Sequence, residues 1–323
     1  MKLPRRTFLH LAAGAPALPV LSRIARAQSY PTRPVRIIVG FAAAGPTDFA
    51  ARLIGQWLSE RFGSQFVVEN RPGASGNIGT KGVVMARPDG YTFLLCDTTG
   101  TVNATLYSNL NFDFIRDIAP VAGIMQGPSA MLVNPSVPAK SVSEFIAYAK
   151  ANPGKVNMAT SGNGTPPHIF GELFKMMAGV DLLHVPYSGS FLPDLLGGQV
   201  QVVFGPIAQL VELIQAGKLR AIAVTSAAGH ATLPDIPTVA AFVPGYEASV
   251  RYGIGAPRNT PAEIVDRLNK EINESLADPK MKARLADLGT VPMPMTSAEF
   301  GTFIADETEK WAKVIRMAHI KAG

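Results

Sequence analysis

Two loops of small residues share one design: Gly40-Phe41-Ala42-Ala43-Ala44-Gly45-Pro46-Thr47-Asp48 and Thr160-Ser161-Gly162-Asn163-Gly164-Thr165. Each follows an apolar strand candidate and precedes an amphipathic helical pattern. Short side chains let a ligand reach the main chain, and the free N–H groups and dipole of a helix start attract an anion such as a carboxylate. In the first loop the donors are Gly45, Thr47 and Asp48, while Pro46 has no N–H to offer. A plain strand-to-helix turn would use the same residues. Thr98-Thr99-Gly100-Thr101 adds hydroxyls that hold a polar ligand or cap the next segment. His184–Gly189 and Phe204-Gly205-Pro206 add a narrow backbone wall and one ring, Tyr187, with both a stacking face and a hydroxyl. His168, just after Pro166-Pro167, is the one histidine placed at such a loop, as a ligand contact or as a satisfied structural group.

Catalytic readings find little support. The chain has no H-E-x-x-H, no P-loop and no G-x-S-x-G elbow. A hydrolase would need Ser161 or Cys96 with His168, and Cys96 ends an apolar strand with no basic neighbour in sequence, the pattern of a buried thiol. A single cysteine excludes an internal disulfide and any multi-thiolate metal site, and the five histidines are scattered singly. No metal, cofactor or catalysis is therefore expected. Of 30 basic residues against 24 acidic, five basic ones fall in residues 1–27, leaving 25 against 24 in the rest. So balanced a body has no electrostatic footprint for nucleic acid.

The elements that must hold these loops read as an α/β fold. A chain of 323 residues, 47% hydrophobic, suits two domains with real cores. Strands are expected at Val35–Val39, Phe66–Glu69, Thr92–Cys96, Ala130–Val133, Val156–Ala159, Leu183–Val185, Val200–Phe204, Leu219–Val224 and Ser249–Ile254, alternating with helices as in βαβ units. The first helix repeats Phe49, Ala50, Leu53, Ile54, Trp57 and Leu58 on an apolar face and stops at Gly63. Ser141 with Glu144, Thr260 with Glu263, and Thr296 with Glu299 mark helix starts. No linker separates two halves, so the chain crosses between domains more than once. Two open sheets facing each other would enclose a cleft beyond their strand ends, with the crossing strands as hinge.

Residues 1–27 read as a cleavable export signal: a basic start, an apolar stretch from Phe8 to Leu21, and Ala25-Arg26-Ala27 before Gln28. Arg5-Arg6 gives it a twin-arginine look, from which Pro4 and His10 depart, so both twin-arginine and general secretion fit. An amphipathic first helix is the alternative. No later apolar run approaches the roughly 20 residues of a membrane span, so the mature protein is expected to be free and soluble outside the cytoplasm.

Taken together, the ordered blocks resemble the tripartite tricarboxylate transporter substrate-binding family, also called Bug proteins. They run from Tyr30–Val39, Thr47-Asp48 and Val68–Gly79 through Pro88–Thr92, Gly162–Thr165 with His168, and Gly171–Phe174. His184–Tyr187, Asp194–Val200, Ala216–Arg220, Leu233–Val239 and Pro244–Glu247 continue the match over nearly all of the mature chain. The resemblance implies a two-lobed periplasmic binding protein of the type II kind, with Rossmann-like lobes over 28–128 plus 250–323 and over 129–249. It implies a ligand carboxylate held by Phe41, Ala44, Gly45, Thr47, Asp48 and Thr98 of the first lobe, and by Ser161, Gly164, Thr165, His168, Tyr187 and Gly205 of the second. The implied partners are a small organic acid and a tripartite tricarboxylate-type membrane permease, or else a membrane sensor kinase, with the receptor itself a monomer. Three departures stand out. Ala43-Ala44-Gly45 replaces the family's P-G-G, Pro166-Pro167 replaces hydroxyl residues, and Gly205 stands where amino-acid binders often carry Asp. The last points to a ligand without a required amino group, such as a dicarboxylate or an aromatic carboxylate. Asp48, a carboxylate beside a bound carboxylate, reads better as a support of the helix start than as a ligand contact.

Overall fold

The computed structural model describes residues 30–322; the export-signal reading lies outside them. The first half runs β1 (Val35–Val39), α1 (Pro46–Phe62), β2 (Phe66–Asn70), α2 (Asn77–Val84), β3 (Thr92–Asp97), α3 (Thr98–Leu106), α4 (Phe114–Asp117) and β4 (Ile118–Val133). The middle adds α5 (Val142–Ala151), β5 (Asn157–Thr160), α6 (Pro166–Ala178), β6 (Leu183–Pro186), α7 (Leu192–Leu196), β7 (Val202–Pro206), α8 (Ile207–Gln215) and β8 (Arg220–Val224). The chain closes with β9 (Ser249–Pro257), α9 (Ala262–Ala277), α10 (Pro279–Asp287), β10 (Val291–Pro292) and α11 (Ser297–Met317).

The strands lie in the order β2-β1-β3-β9-β4-β7-β5-β6, with β8 and β10 both pairing β4. Strands β1, β2 and β3 are parallel, as are β5, β6 and β7, which puts the loop after each strand on one edge. Strand β4 joins the two lobes. Its first part pairs antiparallel with β9 from Ile118↔Pro257 to Pro128↔Ser249, and its last residues pair with β7 from Ser129↔Pro206 to Val133↔Val202. The sequence reading caught only the end of this strand, because Ile118–Gly127 mixes Gly and Pro with apolar residues and has no clean alternation.

Local chemistry fixes the element ends. Gly63 closes α1 at φ +64°, a conformation that costs a residue with Cβ. Thr296 and Glu299 form a reciprocal capping box at α11, and Ser141 caps α5. Thr260 is a correction: its hydroxyl donates to the Pro257 carbonyl at 2.7 Å, and α9 starts one residue later, behind Pro261. Thr98–Thr101 is a second correction, since these residues form the first turn of α3 instead of an open loop.

One core packs α1 and α9 on the β1–β3 side, with Ile37, Val39, Leu53, Ile54, Leu95, Leu268 and Ile272 buried together. A second surrounds α6, with Phe170, Phe174, Phe204 and Tyr246. Helix α11 reaches both regions. Phe300 packs with Ile38, Leu94 and Cys96, whereas Trp311, Val314 and Ile315 join the core around Phe170. The indole of Trp311 is fully buried and stacks on Phe170 at 5.6 Å between ring centres. Among the described residues no helix is long and apolar enough to cross a membrane.

Candidate functional site

A cleft with a cavity volume of about 360 Å³ opens between the first turn of α1 and the first turn of α8. Ala44, Gly45, Pro46 and Phe49 line it from one lobe, and Pro206, Ile207, Ala208 and Gln209 from the other. The two strands that cross between lobes form its floor through Met125, Gly127, Pro128, Val250 and Tyr252, and Asp287–Thr290 closes one end. Neither helix has a side-chain cap, so neither first turn has its backbone N–H groups occupied by a side chain of its N-cap residue. A volume of this size is ample for a small organic acid.

The α1 loop is held from below. Asp48, nearly buried, accepts the Ala44 N–H at 3.0 Å, two bonds from Arg52 at 2.9 and 3.0 Å, and one from Asn70 at 2.9 Å. These bonds, the Arg52 guanidinium foremost, lower its pKa to about 2, so it stays ionised. With both oxygens occupied inside the protein, Asp48 is a brace for the loop. It also holds Ala44 at φ +68°, a left-handed conformation that a glycine would adopt without strain. Asn70 donates further to the Phe41 carbonyl at 3.1 Å. Thr47 donates to Asp97 at 3.1 Å, and Asp97 caps α3 by accepting from Thr99 N–H, which ties the first loop to the α3 turn. Thr98 is buried and its hydroxyl accepts the Arg251 N–H at 2.8 Å, so it binds the crossing strand β9 instead of facing solvent.

On the other lobe the Thr160–Thr165 loop is organised round His168. The Nδ1 of this buried ring accepts the Gly164 N–H at 3.1 Å, and its Nε2 lies 3.8 Å from Glu172. The ring stacks on His184 with centres 3.7 Å apart and planes 9° apart. Burial first, then His184 and Lys175, lowers its pKa to about 3, so it is neutral. Thr165 donates its hydroxyl to the Gly162 carbonyl at 2.7 Å, and Ser161 is exposed. Pro166 and Pro167 occupy the first turn of α6, where a backbone N–H has no intrahelical partner. Gly164, at φ +72°, packs against Leu106 and Val102 of α3, so this loop meets the first lobe directly.

Tyr187 donates its hydroxyl to Asp194 at 2.7 Å and packs edge-on against Phe191. Gly205 is buried opposite Ala130, and a Cβ there would meet Leu210, 2.7 Å away, under α8. Cys96 is buried, its thiol 3.3 Å from the Gly253 carbonyl and its pKa pushed up to about 12 by burial. Its protonation removes it as a nucleophile. With the His168 Nδ1 taken by Gly164, the ring has no free acceptor for a Ser161 hydroxyl. No group of three or more potential metal ligands occurs among the described residues.

Of the anticipated residues, then, Ala44 and Gly45 line the cleft, while Thr47, Asp48, Thr98 and His168 hold its loops. Phe49 was read as part of the buried helix face and is instead 46% exposed on the cleft wall. Ile207, Gln209, Tyr252 and Thr290 went unnoticed because the cleft borrows them from a helix start, a crossing strand and a turn far apart in sequence. The only local signal was the placing of Phe49 one turn into a helix behind a small-residue loop.

Comparison with known proteins shows the family and the fold. Residues 50–320 match the family model described as the tripartite tricarboxylate transporter family receptor. The fold is similar to that of Rpa4515 of R. palustris, solved with adipate, at 36% identity and a TM-score of 0.78, covering 90% of this chain and 99% of that one. It is similar to the periplasmic binding protein BugD, at 34% identity and a TM-score of 0.74 over 90% and 99% of the two chains. MatC of Rhodopseudomonas palustris, solved with malate, matches at 30% identity and a TM-score of 0.73 over 88% and 100%.

Proposed function

The chain belongs to the tripartite tricarboxylate transporter receptor family, and from that premise we propose that it is an exported receptor that closes on a small organic carboxylate and presents it to a membrane permease. The observation that carries this reading is the cleft between the uncapped first turns of α1 and α8, floored by the strands that pass from lobe to lobe. Residues 28–128 with 250–323 would form one lobe and 129–249 the other, hinged at β4 and β9. Backbone N–H groups of Gly45 and Thr47 would meet the carboxylate, favoured by the helix dipole. Phe41, Ser161, Gly164, Thr165 and Tyr187, also anticipated as contacts, do not line this cleft and would meet the ligand only if closure of the lobes carried their loops onto it. Asp48, Thr98 and His168 would act one step back, by keeping those loops in place.

Adipate and malate in two relatives support a carboxylate ligand. The expectation that Gly205 favours an acid without an amino group gains no support from its position, which is buried and would aim a side chain at Leu210 instead of into the cleft. Export through a leader ending at Ala27 agrees with the periplasmic naming of BugD. Thermal-shift screening of carboxylates and free amino acids against the mature chain tests the reading. Stabilisation by simple carboxylates is expected; stabilisation by free amino acids alone would refute it. Mass spectrometry of small molecules released by denaturing the purified protein would then identify the acid.

A further inference from the structure

The lobes meet beside the crossing strand β4 through a turn that carboxylate recognition does not require. Gly289 closes α10 at φ +63°, two residues before Val291 pairs with Gln126 of β4. This turn is anchored in the first lobe. The Gly289 N–H donates to the Ala286 carbonyl at 2.8 Å, and the Thr290 N–H and hydroxyl donate to the carbonyl of the fully buried Leu285 at 3.0 and 2.8 Å. Two groups of the second lobe reach it. Ala208, in the first turn of α8, has its Cβ 3.0 Å from where a Gly289 Cβ would stand, and the Gly289 carbonyl lies 3.3 Å from Nε2 of His230. His230 is buried and its ring is fixed within its own lobe. The Thr232 N–H donates to Nδ1 at 3.3 Å, so the ring proton sits on Nε2 and is donated to Gly289. The Leu233 N–H donates to the His230 carbonyl at 3.0 Å, and Leu233 packs with Ile207 and Leu210 of α8. One imidazole N–H thus joins two anchored elements, and the carbonyl it reaches lies just past a helix end, where acceptors lack helical partners.

We propose that His230 is a latch: its bond to Gly289 holds the lobes in the closed arrangement and slows release of the bound acid. This rests on the receptor reading and adds a control of residence time to it. The cleft runs between α1 of one lobe and α8 of the other, with Asp287–Thr290 closing one end. Movement that draws α8 away from α1 carries Ala208 and His230 away from Gly289, so the bond breaks as the cleft widens. A bond made only in the closed state shifts the open–closed equilibrium by its own net worth, without touching the ligand.

Nitroxide labels on Lys155→Cys and Lys270→Cys, one exposed position in each lobe, report the distance between lobes in the mature chain without ligand, and the buried Cys96 stays unlabelled. His230→Asn keeps an acceptor for the Thr232 N–H but cannot reach Gly289, whereas His230→Gln places an amide N–H near the position of Nε2. His230→Asn is expected to lower the closed-to-open ratio about fivefold, the worth of one net hydrogen bond, and His230→Gln by less than about twofold. Stopped-flow release of adipate, used as the probe acid, should quicken about fivefold in His230→Asn with little change in the association rate. Equal distance distributions in the parent and His230→Asn, or the same loss in both variants, would overturn the latch and leave the receptor reading standing. Absence of binding by every carboxylate screened would overturn the receptor reading, and the label distances, measured without ligand, would still decide the latch.

Discussion

The carboxylate of Asp48 accepts the backbone N–H of Ala44 four residues earlier, and in doing so it holds a non-glycine residue in the left-handed region at the mouth of the cleft. The loop's shape is thus stabilised by a side chain at a position where a glycine would need no such support. Removing that acceptor orphans the Ala44 N–H and one Asn70 donor and frees Arg52. Asp48→Ala is expected to destabilise the fold by about 2 kcal/mol and to weaken ligand binding more than tenfold. Asp48→Asn keeps acceptors for Ala44 and one other donor, and should bind within about threefold of the parent. Urea denaturation and calorimetry read the two effects separately; equal loss in both variants would instead make the charge itself part of recognition.

Protonation of His168 should make the protein sensitive to mild acid. Its pKa is lowered to about 3 in the fold, chiefly by burial, against an ordinary value near 6.5 in the unfolded chain. Between those values the unfolded chain binds the extra proton, so stability is full above pH 6.5 and falls as pH drops toward 3. The slope is about 1.4 kcal/mol per pH unit for one proton. Asp48 acts in a lower window, from its ordinary value near 4 down to about 2. His168→Asn keeps an acceptor for the Gly164 N–H without a titrating ring. Unfolding free energies from pH 7 to 4 should fall less steeply in that variant, and an unchanged slope would assign the acid sensitivity elsewhere.

The turn between α10 and β10 touches the second lobe at one point. A Cβ on Gly289, which sits at φ +63°, would lie 3.0 Å from the Cβ of Ala208, and the Gly289 carbonyl already meets His230 Nε2 at 3.3 Å. Gly289→Ala should cost about 1 kcal/mol in backbone strain and wedge the lobes apart, weakening ligand binding about fivefold. The double variant with Ala208→Gly should recover the binding but not the stability. Calorimetry on the four proteins of that cycle decides it.

A partly buried network ties the start of β9 to α11. Glu247 accepts from Arg251 at 2.6 Å and from Lys310 at 3.1 Å. Lys310 also meets Glu307 at 3.0 Å, and Glu307 takes the Trp311 indole N–H at 2.9 Å. The Arg251 guanidinium carbon lies over the Phe303 ring, 5.3 Å from its centre. Burial works to raise the Glu247 pKa, but the two cations outweigh it and the net shift is downward. Trp311→Ala should cost roughly 3–5 kcal/mol by opening a cavity against Phe170. Trp311→Phe keeps the stack and loses the Glu307 bond, so about 1 kcal/mol is expected. Chemical denaturation of both variants checks the ordering.

The strands of the two parallel sets, and helices α1 and α6 between them, were legible because β-branched runs and 3.6-residue periodicity are local signals, whereas the short α2 and α7 were not read. Capping residues placed α5 and α11 to the residue. The long crossing strand β4 was half hidden by Gly123, Gly127, Pro120 and Pro128, and the short β10 by its two residues. Within the cleft, loops following strands were recognisable from their small residues. Whether a residue in such a loop faces a ligand or braces the chain depends on hydrogen bonds that span the sequence, such as Asn70 to Asp48 and Arg251 to Thr98. Phe49 was misjudged because periodicity assigns a helix face, and here the core ends before the face does.

The path of α11 constrains how such a receptor can be cut and recombined. Its opening turns are anchored near Ile38 and Leu94, while Trp311, Val314 and Ile315 complete the hydrophobic interior around Phe170. A graft of 129–249 into a relative would therefore arrive without part of its own interior, and a chimaera should travel with the matching final helix. Shortening the chain before Trp311 would strip the second lobe while leaving every residue of its sheet in place.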